Sequence, residues 1–189
     1  MVEYAKFTEE SDFLRALYQA SFASVAYPRV TAIGARKVIP DIDLLEVNGR
    51  KGEETITGYE LKVLKRDRRT EGVGWTSFYT GLGQTMWILQ HGIDRAILAL
   101  AFQTGITDEL IDRFRQDLWD RREVLGRTLS GGLGCVGIGV YLYERGGLPM
   151  ILEPKGKLYP QTEEARTNRQ RILEGRLAYS KKLQRETPK

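Results

Sequence analysis

One cysteine and one histidine stand in 189 residues, and their scarcity narrows the chemistry. Cys135 alone can form neither an intramolecular disulfide nor a cysteine-rich zinc site. His91 alone removes Ser-His-Asp catalysis, histidine-rich zinc and two-histidine iron centres. Metal chemistry in this chain must therefore run on carboxylates. No apolar run approaches the roughly 20 residues of a membrane-spanning helix, so no membrane partner is expected. The N-terminus lacks a basic-then-apolar leader, which makes the cytoplasm the expected location. The length suits one domain with a sizeable core.

What is present is organised around residues 36–64. Arg36 to Val47 and Ile56 to Leu64 are both rich in Val, Ile, Leu and Tyr, and the connection from Asn48 to Glu54 carries Asn-Gly and Lys-Gly. The pattern predicts a β-hairpin with acids planted in it. Residues two apart on a strand share a face, so Asp41 pairs with Asp43 and Glu60 with Lys62. An antiparallel turn about Arg50 to Gly52 sets either Asp41 or Asp43 opposite Glu60. Two carboxylates that close repel unless a cation lies between them, and hard oxygen ligands suit Mg²⁺ or Mn²⁺. Lys62 can then steer or deprotonate a water, or balance charge on a phosphate.

Pro40-Asp41, the strand that follows, and Glu60-Leu61-Lys62 resemble the motif of the PD-(D/E)XK nuclease superfamily. The resemblance implies a mixed sheet flanked by helices, with the aspartate and glutamate holding divalent metal and the lysine assisting the attacking water. The position after proline favours Asp41 as the ligand, whereas a hairpin centred one residue later favours Asp43. Tyr79-Thr-Gly81-Leu-Gly83-Gln84 resembles the superfamily's next helix, whose glutamine faces the active site, so Gln84 joins the expected set. Superfamily members also place a glutamate on the first helix, and Glu10 is the candidate.

The remaining chain is read by periodicity. Phe13, Leu14, Leu17, Tyr18, Phe22 and Val25 predict an amphipathic helix over Thr8 to Ala26, with Thr8 as cap. Val30 to Ala35 is a short strand or an irregular approach to the hairpin. Trp75 to Gln90 predicts a helix with Phe78, Leu82, Met86 and Leu89 on its stripe; Gly81 and Gly83 imply close approach of another backbone. His91-Gly92 ends it. Arg95 to Phe102 is a near-continuous apolar run of central-strand character. Thr107 to Arg127 returns to helical spacing. Gly132-Leu-Gly134-Cys-Val-Gly137 fits a dinucleotide fingerprint, but a helix precedes it and a strand follows, the reverse of what a pyrophosphate site needs. Gly146-Gly147 predicts a turn into a short strand over Leu148 to Leu152.

Net charge is +4, and residues 161–189, with eight basic residues against four acids, account for the whole surplus. A helix is expected over Thr162 to Leu183. Three roles are open to it: loose packing, contact with a second copy in a homodimer, or a path along nucleic acid. Lys65, Arg66, Arg68 and Arg69 follow the Glu60/Lys62 strand directly and are candidate phosphate contacts. Arg29, Arg36 and Lys37 are further options.

The expectation is an α/β protein with a mixed central sheet flanked by helices and a restriction-endonuclease-like core. Residues 1–160 form the nuclease-like core and 161–189 a basic, helical C-terminal extension of the same domain. The expected function is Mg²⁺-dependent hydrolysis of phosphodiester bonds, in DNA. The alternative is a non-catalytic nucleic-acid-binding or protein-interaction module on the same fold.

Overall fold

The computed structural model describes residues 4–21, 23–130, 134–141 and 148–179. It is an α/β architecture with an eight-stranded mixed sheet flanked by helices. In chain order come β1 (Lys6–Phe7), α1 (Glu10–Ala20), β2 (Val25–Ile33), β3 (Arg36–Asn48), β4 (Thr55–Leu64) and α2 (Trp75–Ile88). After a 3₁₀ turn (Leu89–His91) follow β5 (Arg95–Gln103), α3 (Asp108–Asp120), α4 (Arg122–Ser130), β6 (Val136–Val140), β7 (Met150–Leu152), α5 (Glu163–Leu173) and β8 (Leu177–Tyr179). The strands run β7-β6-β5-β4-β3-β2-β8 across the sheet, with β1 parallel to the end of β5.

The sheet has two halves of opposite character. β2, β3 and β4 form an antiparallel meander, whereas β4, β5 and β6 are parallel to one another, with α2 and then α3–α4 as the crossovers. β5 is the central strand that its apolar run predicted. Leu98, Leu100 and Phe102 point to α2 and α3, while Ala99 and Ala101 face α1. The small residues on one face let α1 lie close, with Phe13, Leu14 and Leu17 buried against Leu44, Leu61 and Val63. Burying such side chains stabilises the fold by roughly 1.5–3 kcal/mol apiece.

Several elements differ from the sequence expectation. α1 begins at Glu10 and ends at Ala20, because Val25 and Ala26 are drawn into β2, where they pair with Val47 and Glu46; Phe22 lies outside the described residues. The approach to the hairpin is the end of that nine-residue strand. The buried face of α2 is Phe78, Gly81, Leu82, Thr85 and Ile88, leaving Met86 44% exposed. The helix is rotated from its most apolar stripe because a glycine and a threonine meet β4 and β5 more closely than methionine can. The 107–127 helix is two helices broken at Arg121. The C-terminal helix stops at Leu173: Gly175, at φ +69°, turns the chain and Arg176 N–H returns to the Arg171 carbonyl, after which β8 pairs with the edge of β2. Its expected continuation to Leu183, the Gly146-Gly147 turn and Gly132 fall outside the described residues.

α5 is not loosely packed. Arg169 donates to the Asp94 carboxylate at 2.5 Å and to the Glu54 carbonyl at 2.9 Å, and Asp94, 3% exposed, also accepts the Ile56 N–H at 2.7 Å. Gly92 must be glycine, since a Cβ there meets the Ala165 carbonyl at 2.1 Å. Cys135 is 1% exposed and burial raises its pKa, as suits an inert core thiol.

Candidate active site

The β3–β4 register decides which acids meet. Leu44 pairs with Tyr59 and each later pair follows in step, so continuing by one residue sets Asp43 opposite Glu60. Directly opposed residues share a face of the sheet. Asp43, Glu60 and Lys62 therefore lie on one face of the sheet. The backbone ladder stops at Leu44–Tyr59, and the Leu61 N–H is taken instead by the Asp43 Oδ2 carboxylate at 2.8 Å. The strands part at the aspartate, on the boundary between the antiparallel and parallel halves. Asp41 is exposed and, among the described residues, has no hydrogen bond or ion pair to the cluster.

On β4, Glu60, Lys62 and Leu64 lie on the side covered by α2. Lys62 Nζ stands 2.6 Å from Glu60 Oε1 and 3.7 Å from Oε1 of Glu10, the first residue of α1. Glu60 is only 2% exposed, and its second oxygen, Oε2, is buried with no hydrogen-bond partner. Gly81 explains how α2 gets so close: a Cβ there meets Lys62 Cγ at 2.7 Å and Leu98 Cδ1 at 2.8 Å. The expected close approach is thus to a lysine stem and a leucine, and it belongs to Gly81 alone, since nothing lies within 4 Å of a Cβ on Gly83. Gln84 follows one turn along α2, half-buried, and its Oε1 is also buried without a partner.

The charges are tuned by burial and by each other. Burial, helped by the Glu10 carboxylate, raises the Asp43 pKa to about 6 against the pull of the Leu61 N–H, Lys62 and Arg29. Glu60 is raised to about 7, first by burial and then by Asp43 and Glu10, with Lys62 opposing. Burial also works against the Lys62 ammonium, but Glu60, Glu10 and Asp43 outweigh it and the lysine pKa goes up. Lys62 therefore stays protonated at neutral pH.

Among the described residues no three His, Cys, Asp or Glu side chains stand as a ready-made metal cage. The donor set nevertheless fits a hard divalent ion of the magnesium type, which keeps several waters and takes one or two carboxylates plus substrate phosphate oxygens. Asp43 and Glu60 are the two carboxylates placed to hold such an ion. The orphaned Oε2 of Glu60 is a buried acceptor without a donor, a position a cation satisfies.

A cleft of about 320 Å³, lined by Thr8, Glu9, Glu10, Val63 and Lys65, opens beside this cluster. A larger cavity of about 770 Å³ lies away from the acids, between α4 and β7, with Arg122, Lys155 and Leu152 in its walls. The basic loop after β4 is closed on itself by a bridge between Arg66 and Val73 and by the Gly74 N–H to the Lys65 carbonyl. Lys65, Arg66, Arg68 and Arg69 are exposed on it. Sequence reasoning overlooked a second buried acid, Glu46, whose carboxylate accepts from Ser21 at 2.5 Å and from Tyr59 at 2.8 Å. Both of its oxygens are satisfied, so it is a strut between α1 and the hairpin. Its alternation with Leu45 and Val47 was visible; its partners, 25 and 13 residues away, were not.

Comparison with family models, with curated proteins and with solved structures returns no match.

Proposed function

We propose that this chain is a metal-dependent nuclease that hydrolyses phosphodiester bonds, with DNA as the substrate and Mg²⁺ or Mn²⁺ as the ion. The observation that carries the reading is Glu60: a carboxylate buried with one oxygen on a lysine, the other oxygen orphaned, and a second carboxylate, Asp43, opposite it one residue beyond the end of the β3–β4 ladder. Buried carboxylate oxygens are ordinarily hydrogen-bonded, so the orphaned Glu60 Oε2 supports a ligand at this position. Asp43 and Glu60 would hold the metal, which when bound supplies positive charge to the scissile phosphate and acidifies water.

The roles of the chain's own groups follow from their charge states. Lys62, held protonated, serves as a donor and a fixed positive charge toward the developing phosphate charge, not as a base. The Leu61 N–H fixes the Asp43 carboxylate in place. Gln84 offers an uncommitted carbonyl oxygen from α2 as an orienting acceptor for water. Glu10, half-exposed at the mouth, modulates the charge of the cluster.

The test is cleavage of plasmid and linear DNA with Mg²⁺ or Mn²⁺ and with a chelator. Wild type is expected to cut only with metal, Asp43→Asn to lose both cutting and metal-induced stabilisation, and Asp41→Asn to keep them. Cutting undiminished in chelator overturns the mechanism. Binding without cutting in every metal assigns the chain to the non-catalytic alternative.

A further inference from the structure

Arg29 is a non-glycine residue with φ at +47°, inside strand β2. A left-handed backbone costs an arginine roughly 1 kcal/mol or more and persists where neighbours over-determine it. Here they do. Pro28 pairs with Leu44 and Val30 with Ile42, and all four are buried, so β2 is pinned to β3 on both sides. The pair between them, Arg29 with Asp43, is the one missing from that run. Arg29, Asp43 and Glu60 thus fall in one row across β2, β3 and β4, with the arginine on the rim of the acid cluster.

The guanidinium is exposed and, among the described residues, makes no hydrogen bond or ion pair, although its charge reaches Asp43. Of the other cations at this edge of the sheet, Arg36 is ion-paired with Glu164, and Lys37 lies beyond the irregularity in the β2–β3 pairing. Two adjacent carboxylates repel a polyanion, so a substrate strand needs a compensating cation beside them. A planar guanidinium matches phosphate oxygens in geometry and charge.

We propose that Arg29 grips a phosphate of the strand being cut and sets that strand across Asp43 and Glu60, a role that rests on the nuclease reading above. The rival role is a counter-ion for Asp43, which touches no substrate.

Two variants separate these roles. Arg29→Asn removes the guanidinium with a side chain that tolerates the left-handed region, and Arg29→Lys keeps the charge without the fork. The measurements are binding of a fluorescent DNA oligonucleotide in Ca²⁺ over a salt series, KM and kcat in Mg²⁺, and melting temperature. Arg29→Asn is expected to weaken binding on the order of tenfold, to flatten the log–log salt slope by close to one and to raise KM, with melting temperature held or raised because asparagine relieves the left-handed strain. Arg29→Lys is expected to recover the slope and part of the affinity. Wild-type slope and KM in Arg29→Asn overturn the grip while leaving the nuclease reading intact. A lowered melting temperature with unchanged slope makes Arg29 a counter-ion and also overturns it. A wild-type protein that neither binds nor cuts overturns both readings.

Discussion

Glu60 is where burial and ionisation pull hardest against each other. Its pKa of about 7, raised from 4.5, means the folded chain holds that proton more tightly than the unfolded chain does. The stability it contributes is full below about pH 4.5 and is lost as pH rises through about 7. Lys62 is what makes the ionised form tolerable, at 2.6 Å. Lys62→Met keeps the apolar stem and removes the ammonium, so its cost should depend on pH. At pH 8 without metal, Glu60 is left charged and unpaired, and we expect a loss of about 2–3 kcal/mol, the low end for a broken buried pair because proton uptake offers a partial escape. At pH 5 the carboxyl is already neutral, so the loss should fall below about 1 kcal/mol. Urea denaturation at the two pH values checks this. An equal penalty at both assigns the lysine to packing, and cleavage that survives the substitution removes it from the chemistry.

The element that shapes the site is α2, and the contrast between its two glycines shows how. Gly81 lies on the Lys62 stem and Leu98, whereas Gly83 faces open space. Thr85 returns its hydroxyl to the Gly81 carbonyl at 2.8 Å, which occupies the backbone acceptor at the closest approach. Gly83→Ala should stabilise the helix by up to about 1 kcal/mol and leave activity alone. Gly81→Ala gains the same propensity but places a methyl 2.7 Å from Lys62 Cγ. We expect it to move the lysine, lowering kcat on the order of tenfold or more, since a displacement of about 1 Å can cost about a hundredfold in rate, and to lower the melting temperature as well, because the buried Leu98 side chain, 2.8 Å from the new methyl, must also shift. Full activity in Gly81→Ala would show that the position of Lys62 is not critical.

At the scale of the molecule, the acids are held by a scaffold that closes from the far end of the chain. Arg169 ties α5 to Asp94 at the start of β5 and to Glu54 at the start of β4, while Arg176 pairs with Glu174 at 3.0 Å. The basic surplus of the C-terminal segment is thus partly spent inside the protein, and Arg169 is not a free phosphate contact. Arg169→Met should leave Asp94 buried, with its Oδ2 still on the Ile56 N–H but its charge unpaired, and should cost about 3–5 kcal/mol in urea denaturation. A loss within about 0.5 kcal/mol would mean the clamp contributes nothing net. DNA binding by that variant, measured where it remains folded, should keep the wild-type salt slope.

The apolar run of residues 95–102 and the Val- and Ile-rich arms of the hairpin sufficed to define an α/β chain, and the alternation on the second arm to set Glu60 and Lys62 side by side, because those signals are local and follow the periods of strand and helix. Which of Asp41 and Asp43 stands opposite Glu60 was not a local matter. Both satisfy the alternation, and the turn composition left the register open by a residue; packing of Leu44, Leu45 and Ile42 into two different cores decided it. The rotation of α2 was likewise decided by what Gly81 meets, since the apolar pattern alone favours Met86. β8, with only three residues, had no signal of its own and exists because the β2 edge offers backbone partners. Local composition determined which groups are available for chemistry. The tertiary packing decided which of them share a face, and burial then gave Asp43 and Glu60 pKa values that no isolated segment has.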